Sequence, residues 1–347
     1  MKSNYRYIVK AFMAMAVIAG TTSCDDFLDR EPMSSISPET YYSTAAQLEA
    51  NLNDEYPNVL PSFGQWTYGI FGEDKGTDNQ IEVNANDRYT QDRWKVPHSE
   101  SDNWKFERIY RINFFLSEAL PKFGEDMSGS QNTISGSVAT IKHYIGEMYF
   151  LRAYEYFKKL QLFGDFPIIN QPLADEMEAL REASKRFPRN EVARFIISDL
   201  DKAYAYMSDV DMATTRINKD VAMLVKSRVA LFEATWLQNF KGTAFVPGGE
   251  GWPGASLHNN YQYPSGNIDN EVKYFLEQAV EASKLVADKY KGSLTENTGV
   301  LQQSADDPSN PYFDMFAQED LSDVKEVLLW RQYARGLSTH NINAAAG

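Results

Sequence analysis

Residues 138–169 read VATIKHYIGEMYFLRAYEYFKKLQLFGDFPII. Ile141, Ile145 and Met148 share one stripe with Arg152, and Tyr149, Ala153, Phe157 and Leu160 form a second. Recurrence at every third or fourth place is the period of an α-helix, and apolar stripes on two sides mean a helix sandwiched between neighbours. The spacing predicts a helix over about 138–163. Gly164 stops it, because glycine enters the backbone conformations that close a helix without steric cost. Phe163-Gly164-Asp165 therefore reads as a turn device, not a phosphate cradle, and the short apolar run Phe166–Ile169 follows it. Arg152 is structural on this reading. A buried guanidinium needs acceptors, and Glu155 at i+3 or the carbonyls of a neighbouring helix would supply them.

The same period extends along the chain. Ser37-Pro38-Glu39 opens a helix expected to run to about Pro57, with a capping serine and proline in the first turn. A second covers roughly 101–122, with Trp104, Ile109, Ile112 and Leu116 on one side. Others start at Arg189 or Asn190 after Pro188, near Lys219, and at about 268, the last ending near 290. Trp104 and Trp236 have helical spacing and read as core. Two long stretches, 61–103 and 241–266, are rich in Gly, Asn, Asp or Pro together with aromatic residues, and read as structured loops. Residues 292–322 are irregular, and Val324–Trp330 reads as a short strand or buried segment. The fold class expected is mainly all-α: helix pairs stacked side by side in the tetratricopeptide manner, carrying long irregular loops. The pairing, not a clean repeat consensus, carries that inference.

The chain has 347 residues, with 34 Lys and Arg against 48 Asp and Glu, for a formal net charge of -14. Such an acidic balance argues against a nucleic-acid partner, which would need a basic face to displace phosphate counterions. A multi-pass membrane protein is excluded too, since the one continuously apolar run lies in the first twenty residues. The single cysteine rules out an intramolecular disulfide and a cysteine-based zinc site. Four scattered histidines match no metal-ligand spacing, and the oxygen-rich segments Asp74–Asp78 and Asp306–Asp314 do not follow the calcium-loop ladder. No metal or cofactor is expected. Nothing singles out a carboxylate pair or a Ser/His/Asp set, so an enzyme is not expected either.

The first twenty-three residues are a signal peptide. Lys2, Arg6 and Lys10 precede the ten-residue apolar run Ala11–Gly20, too short to span a bilayer as a helix. Thr21-Thr22-Ser23 are small, and Cys24 follows them, an arrangement that resembles a bacterial lipobox in which the cysteine is lipidated and becomes the mature N-terminus. Removing residues 1–23 takes away three cations and no acid, so the net charge falls from -14 to -17. Residues 24–36, with Asp25, Asp26, Asp29 and Glu31, read as an acidic tether that an anionic membrane surface would repel. A helical domain occupies the remainder, 37–347.

Several motifs now fall in order. Cys24 precedes the acidic-hydrophobic leader Asp25–Pro32. Trp104–Asn113 (WKFERIYRIN) is an aromatic-rich helix with a Y-x-x-I-N core. Gly146–Phe157 (GEMYFLRAYEYF) closes on Leu162–Pro167 (LFGDFP). Pro188-Arg189-Asn190 opens a helix reaching Asp199-Leu200, and Arg216–Lys219 (RINK) leads to Ala230-Leu231. In these features the chain resembles the SusD/RagB family, the surface nutrient-binding lipoproteins of Bacteroidetes outer membranes. The resemblance covers about residues 24–330. It implies paired tetratricopeptide-like helices, a position as lid on a SusC-like TonB-dependent outer-membrane barrel, lipid anchoring at the cell surface, and capture of oligosaccharides, or in some members peptides, without catalysis. Family members are longer, and the apolar run 324–330 lies close to residue 347, so the chain reads as C-terminally truncated.

On this reading the ligand site draws on loop aromatics, because sugar faces stack on indole and phenol rings while carboxylates, amides and guanidinium groups bind hydroxyls. In relatives the loop after the first helix helps form the site. Trp66, Asp74, Arg88, Tyr89 and Trp94 in 61–103, and Trp252 and Tyr261 in 241–266, are the candidates. The plainer alternative for each ring is packing on the helices beneath. At the level of the whole protein the alternative is a tetratricopeptide-like scaffold that binds peptides or proteins.

Overall fold

The computed structural model describes residues 41–61, 103–124, 126–208, 212–301, 303–304 and 306–332. Eight α-helices are seen among them: α1 (Ala45–Val59), α2 (Glu107–Phe123), α3 (Val138–Phe163), α4 (Met177–Ala183), α5 (Arg189–Tyr206), α6 (Lys219–Asn239), α7 (Ile268–Tyr290) and α8 (Pro311–Ala317). A 3-10 turn spans Pro253–Ser256. The described residues pair as strands only in two isolated bridges, Thr44 with Ser135 and Phe166 with Phe187. The fold is all-α.

Helix α3 lies at the centre, with α1 and α2 on one side and α5 on the other; α6 packs on α5 and α7 on α6. Successive neighbours from α2 onward are antiparallel. Asn103, just before α2, meets Lys159 near the end of α3. Asp199 in α5 meets Arg152, and Ser208 just beyond α5 meets His143 near the start of α3. Lys226 reaches Asp201 while Arg189 reaches Glu233, so α6 reverses on α5. Lys241 at one end of α6 pairs with Asp269, and Asp220 at the other with Lys289, so α7 reverses on α6. These are the stacked helix pairs that the sequence suggests.

The two apolar stripes of α3 are both covered. Ile141, Ile145, Met148, Leu151, Tyr156 and Leu160 are at or near zero exposure. Gly146 sits mid-helix at some cost in propensity. A Cβ there would stand 2.8 Å from the Met207 backbone nitrogen and 2.9 Å from the Ala203 carbonyl, so the glycine lets the end of α5 lie directly against α3.

Helix starts follow their caps. Thr44 and Gln47 make a capping box on α1, Ser137 caps α3, Asn218 caps α6 and Asn267 caps α7. Four expectations need correcting. The first helix is not continuous from Pro38 to Pro57. Thr44 is extended (φ -135°, ψ 151°), because its side chain turns to serve the Gln47 amide, and a helix begins afresh after it; Ser37-Pro38-Glu39 lie outside the described residues. The second helix starts at Glu107, so Trp104 precedes it and packs edge-on against Phe106, Phe163 and Phe166 as an anchor for the approach to α2. Val324–Trp330 is neither strand nor fully buried; the Trp330 amide and indole N–H donate to Thr214, which lays the segment along the start of α6. The short helices α4 and α8 form where no apolar period foretells them, and neither is longer than two turns. No helix of the described residues is long and apolar enough to cross a membrane.

Candidate functional site

The corner after α3 is where the fold gathers its loops. Gly164 has φ +67°, the left-handed region, and turns the chain sharply. Asp165 follows. Its Oδ1 accepts from the Arg189 amide at 2.9 Å, and its Oδ2 accepts from the indole Nε1 of Trp252 at 2.7 Å. Pro188 cannot cap α5 with its own side chain, so a carboxylate 24 residues before Arg189 does so. Burial pushes the Asp165 carboxyl above the usual carboxylate range despite these hydrogen bonds.

The same indole bond straps loop 241–266 to the corner. Trp252 is 5% exposed and stacks on His258. The Tyr261 hydroxyl donates to Asn190 Oδ1 at 3.1 Å, and the Asn190 amide donates to Glu271 at 3.0 Å. Burial raises the Tyr261 phenol, and Tyr263 donates to the Pro247 carbonyl. Trp252 and Tyr261, candidates for ligand contact, are thus engaged in holding the loop on the helices. Trp66, Asp74, Arg88, Tyr89 and Trp94 lie outside the described residues, as does Cys24. Asp307, in the second oxygen-rich segment, accepts from the Gln303 and Ser304 amides and so closes a turn.

Beneath the loops, buried carboxylates are matched to arginines from other segments. Arg152 donates through Nε and Nη2 to Asp199 (2.6 and 2.8 Å), and through Nη1 to Asn113 Oδ1 and the Asn170 carbonyl. Its partner is therefore Asp199 of α5 and not Glu155, which pairs with Lys158 and Lys159 along its own helix. Arg189 forks onto Glu233, Arg194 onto Glu271, and Arg216 onto Glu147, which also accepts from the Tyr56 hydroxyl. Burial raises Glu233 even against Arg189. At Glu271 burial pulls upward too, but the bonds from Arg194, Asn190 and Ser265 outweigh it and hold the carboxyl low. The first three of these ion pairs join helices two by two: α3 to α5, α5 to α6 and α5 to α7.

Two clefts of similar size open on this scaffold. One, about 500 Å³, lies between the Gly164 corner, the end of α6 and residues 244–257, with Phe245, Trp252, Arg186 and Arg189 among its walls. The other, about 490 Å³, is lined by Leu60, Pro61, Tyr154, Val225 and Trp330 where the chain enters the first long loop.

Residues 26–231, more than half of the chain, match a family model described as SusD-like, "Starch-binding associating with outer membrane". The chain belongs to the SusD-like family. Among curated relatives, SusD-like protein P2 of Formosa agariphila is 25% identical over 253 residues, covering 70% of this chain and 46% of the relative. SusD-like protein P25 of the same organism is 25% identical over 233 residues, covering 62% and 41%. The chain therefore spans less than half the length of these relatives. Similar solved structures include a SusD-like protein from Bacteroides fragilis NCTC 9343 (21% identity, 61% of this chain and 39% of that one, TM-score 0.43). Another is a SusD-like carbohydrate binding protein from Bacteroides vulgatus ATCC 8482 (14%, 74% and 47%, TM-score 0.43).

For this SusD-like chain, sequence reasoning does not single out Asp199, Glu233 and Glu271 as the acids that matter. Each is at zero exposure on a helix whose buried residues are mostly apolar. That pattern, a lone acid on an apolar stripe matched by a lone arginine on another, is the signal the sequence offers. It names the charged residues that are buried without saying which pairs with which.

Proposed function

We propose that this protein is a lipid-anchored receptor on the outer-membrane surface that captures oligosaccharides and passes them to a SusC-like TonB-dependent transporter. The match of residues 26–231 to a family described as starch-binding and associated with the outer membrane carries the reading. The chemistry agrees with it. The long loops are rich in aromatic, amide and carboxylate side chains, which is what sugar rings and hydroxyls require. Binding, not bond cleavage, is the work proposed. Trp66 and Trp94, with Asp74, Arg88 and Tyr89, are the proposed ligand contacts of the first loop, and Gly164 and Asp165 are structural residues of the helical scaffold.

Affinity electrophoresis of the protein through gels containing soluble starch, other neutral glucans or an acidic polysaccharide tests capture. Retardation by at least one polysaccharide, with no new reducing ends released, is expected. A folded protein that migrates unretarded in every gel would reject the glycan reading in favour of a peptide-binding scaffold.

Anchoring is proposed through Cys24, with residues 25–36 as the acidic tether and 1–23 removed. Cells fed labelled palmitate should incorporate it into the protein and hold it in the membrane fraction, while Cys24→Ser should be unlabelled and soluble. Equal labelling of the two proteins would refute lipidation at this position.

A further inference from the structure

The cleft beside Gly164 belongs to none of the ligand contacts proposed above, yet its walls combine the groups that a sugar needs. Its volume, about 500 Å³, falls within the range of small-molecule sites. Three large apolar side chains stand exposed around it: Phe245 at 61%, Leu162 at 57% and Leu257 at 54%. The other rings of the same loop, Trp252, Tyr261 and Tyr263, are engaged in packing and hydrogen bonding, so Phe245 is the ring left facing outward. It is also held in place. Trp236 Nε1 donates to the Phe245 carbonyl at 3.1 Å, and Phe240 supports the ring edge-on at 5.5 Å.

The polar groups are set deeper. Arg189 is only 4% exposed at its side chain and lines the cleft. Its Nε and Nη2 are bound to Glu233, and among the described residues Nη1 donates to nothing. That nitrogen would lie 3.5 Å from a Cβ at position 164, so the glycine leaves the approach to it open. Nη1 is not among the sealed, partnerless polar atoms of the described residues, so it faces the cleft, where a ligand hydroxyl or water can accept from it. Asp165 spends one hydrogen bond on each oxygen, which leaves acceptor capacity on both. Gln161, exposed at the last turn of α3, adds a donor and an acceptor.

Charge selects among ligands. Glu233 pairs with Arg189, and the walls also carry Asp165 and Arg186, so acids and guanidinium groups are equal in number around the cleft. An anion would meet Asp165, and a cation would meet two guanidinium groups. A neutral, hydroxyl-rich ring with one apolar face conflicts with neither.

We propose that this cleft is a second carbohydrate subsite, taking one or two pyranose units of a neutral oligosaccharide. The sugar's apolar face lies on Phe245, and its hydroxyls bind Arg189 Nη1, Asp165 and Gln161. The inference rests on the glycan reading above, and it draws on residues other than those of the first long loop.

The test uses the full chain and whichever neutral polysaccharide retards it. Phe245→Ala combined with Gln161→Ala should weaken the apparent Kd by about tenfold, the loss of one stacking contact and one hydrogen bond. Phe245→Trp should bind as well as the parent. Both positions are exposed, so the thermal melt should not move. A double variant retarded within about twofold of the parent, while Trp66→Ala with Trp94→Ala abolishes binding, would overturn the subsite and leave the glycan reading standing. A parent chain retarded only by the acidic polysaccharide would overturn the neutral subsite and leave the glycan reading standing, and one retarded by no polysaccharide would overturn both. Failure of Phe245→Trp to bind would also reject the stacking role, since it retains an aromatic face.

Discussion

Asp199→Ala is expected to lower the free energy of unfolding by about 3–5 kcal/mol, the usual cost of removing one partner from a buried ion pair. Asp199 has no exposed surface and takes two hydrogen bonds from Arg152. Without it Arg152 retains the Asn113 and Asn170 oxygens and the faces of Tyr149 and Phe195, at 5.3 and 5.2 Å, none of which carries a formal charge. Burial opposes the charge on Arg152, and the Asp199 contacts outweigh it, so the guanidinium stays protonated in the native protein. An arginine cannot shed its proton to escape, as a buried lysine would. Urea denaturation followed by circular dichroism measures the loss. A change below about 1 kcal/mol would mean that water reaches Arg152 and the pair is not the clamp between α3 and α5. Arg152→Leu with Asp199→Leu should recover much of the stability, because the charge and its counter-charge leave together.

Trp252→Ala should cost a similar amount, about 3–5 kcal/mol, through the cavity it leaves and the partner it strands. The indole is 5% exposed, and its N–H is the donor to Asp165 Oδ2. With the strap gone, loop 241–266 should become the first site of limited proteolysis, where the parent chain resists. Trp252→Phe separates the two roles considered for this residue. It keeps an aromatic ring and loses the bond to Asp165, about 1 kcal/mol. A strap predicts reduced stability, with retardation falling no further than in the variant that combines Phe245→Ala and Gln161→Ala, because only the second subsite shares Asp165. Loss of retardation in Trp252→Phe without loss of stability would restore Trp252 to the ligand site.

Much of the architecture is legible in the residues alone. The helix over 138–163, the one from about 268 to 290 and the one opening at Arg189 lie where apolar spacing and stop signals place them. Local chemistry suffices for the first two, with long apolar periods, a serine or asparagine at the start and a glycine at or just past the end, whereas the helix at Arg189 has its apolar period and preceding proline but takes its cap from Asp165. The start of α1 is less legible, because the apolar period carries one helix from Ser37-Pro38 through Thr44, and only the reciprocal bonds between Thr44 and Gln47 show that a helix opens at 44. Spacing to Ile109 draws Trp104 into a helix, although it serves as an anchor just outside one. The structural role of Arg152 follows from its apolar stripe, but its acceptor does not: i+3 in the same helix offers Glu155, and the true partner lies 47 residues on.

The sequence by itself determined the helical periods, the acid excess, the position of Cys24 and the ordered motifs through which the chain belongs to its family. All of these are properties of residues near one another along the chain. Only the tertiary structure decided that Arg152 meets Asp199, that Asp165 caps a helix beginning 24 residues later, and that Trp252 points inward while Phe245, on the same loop, points out. Those choices depend on which helix faces are brought together by stacking. A buried charge must find its partner across that stack, and a loop ring packs or stays free according to the space left beneath it.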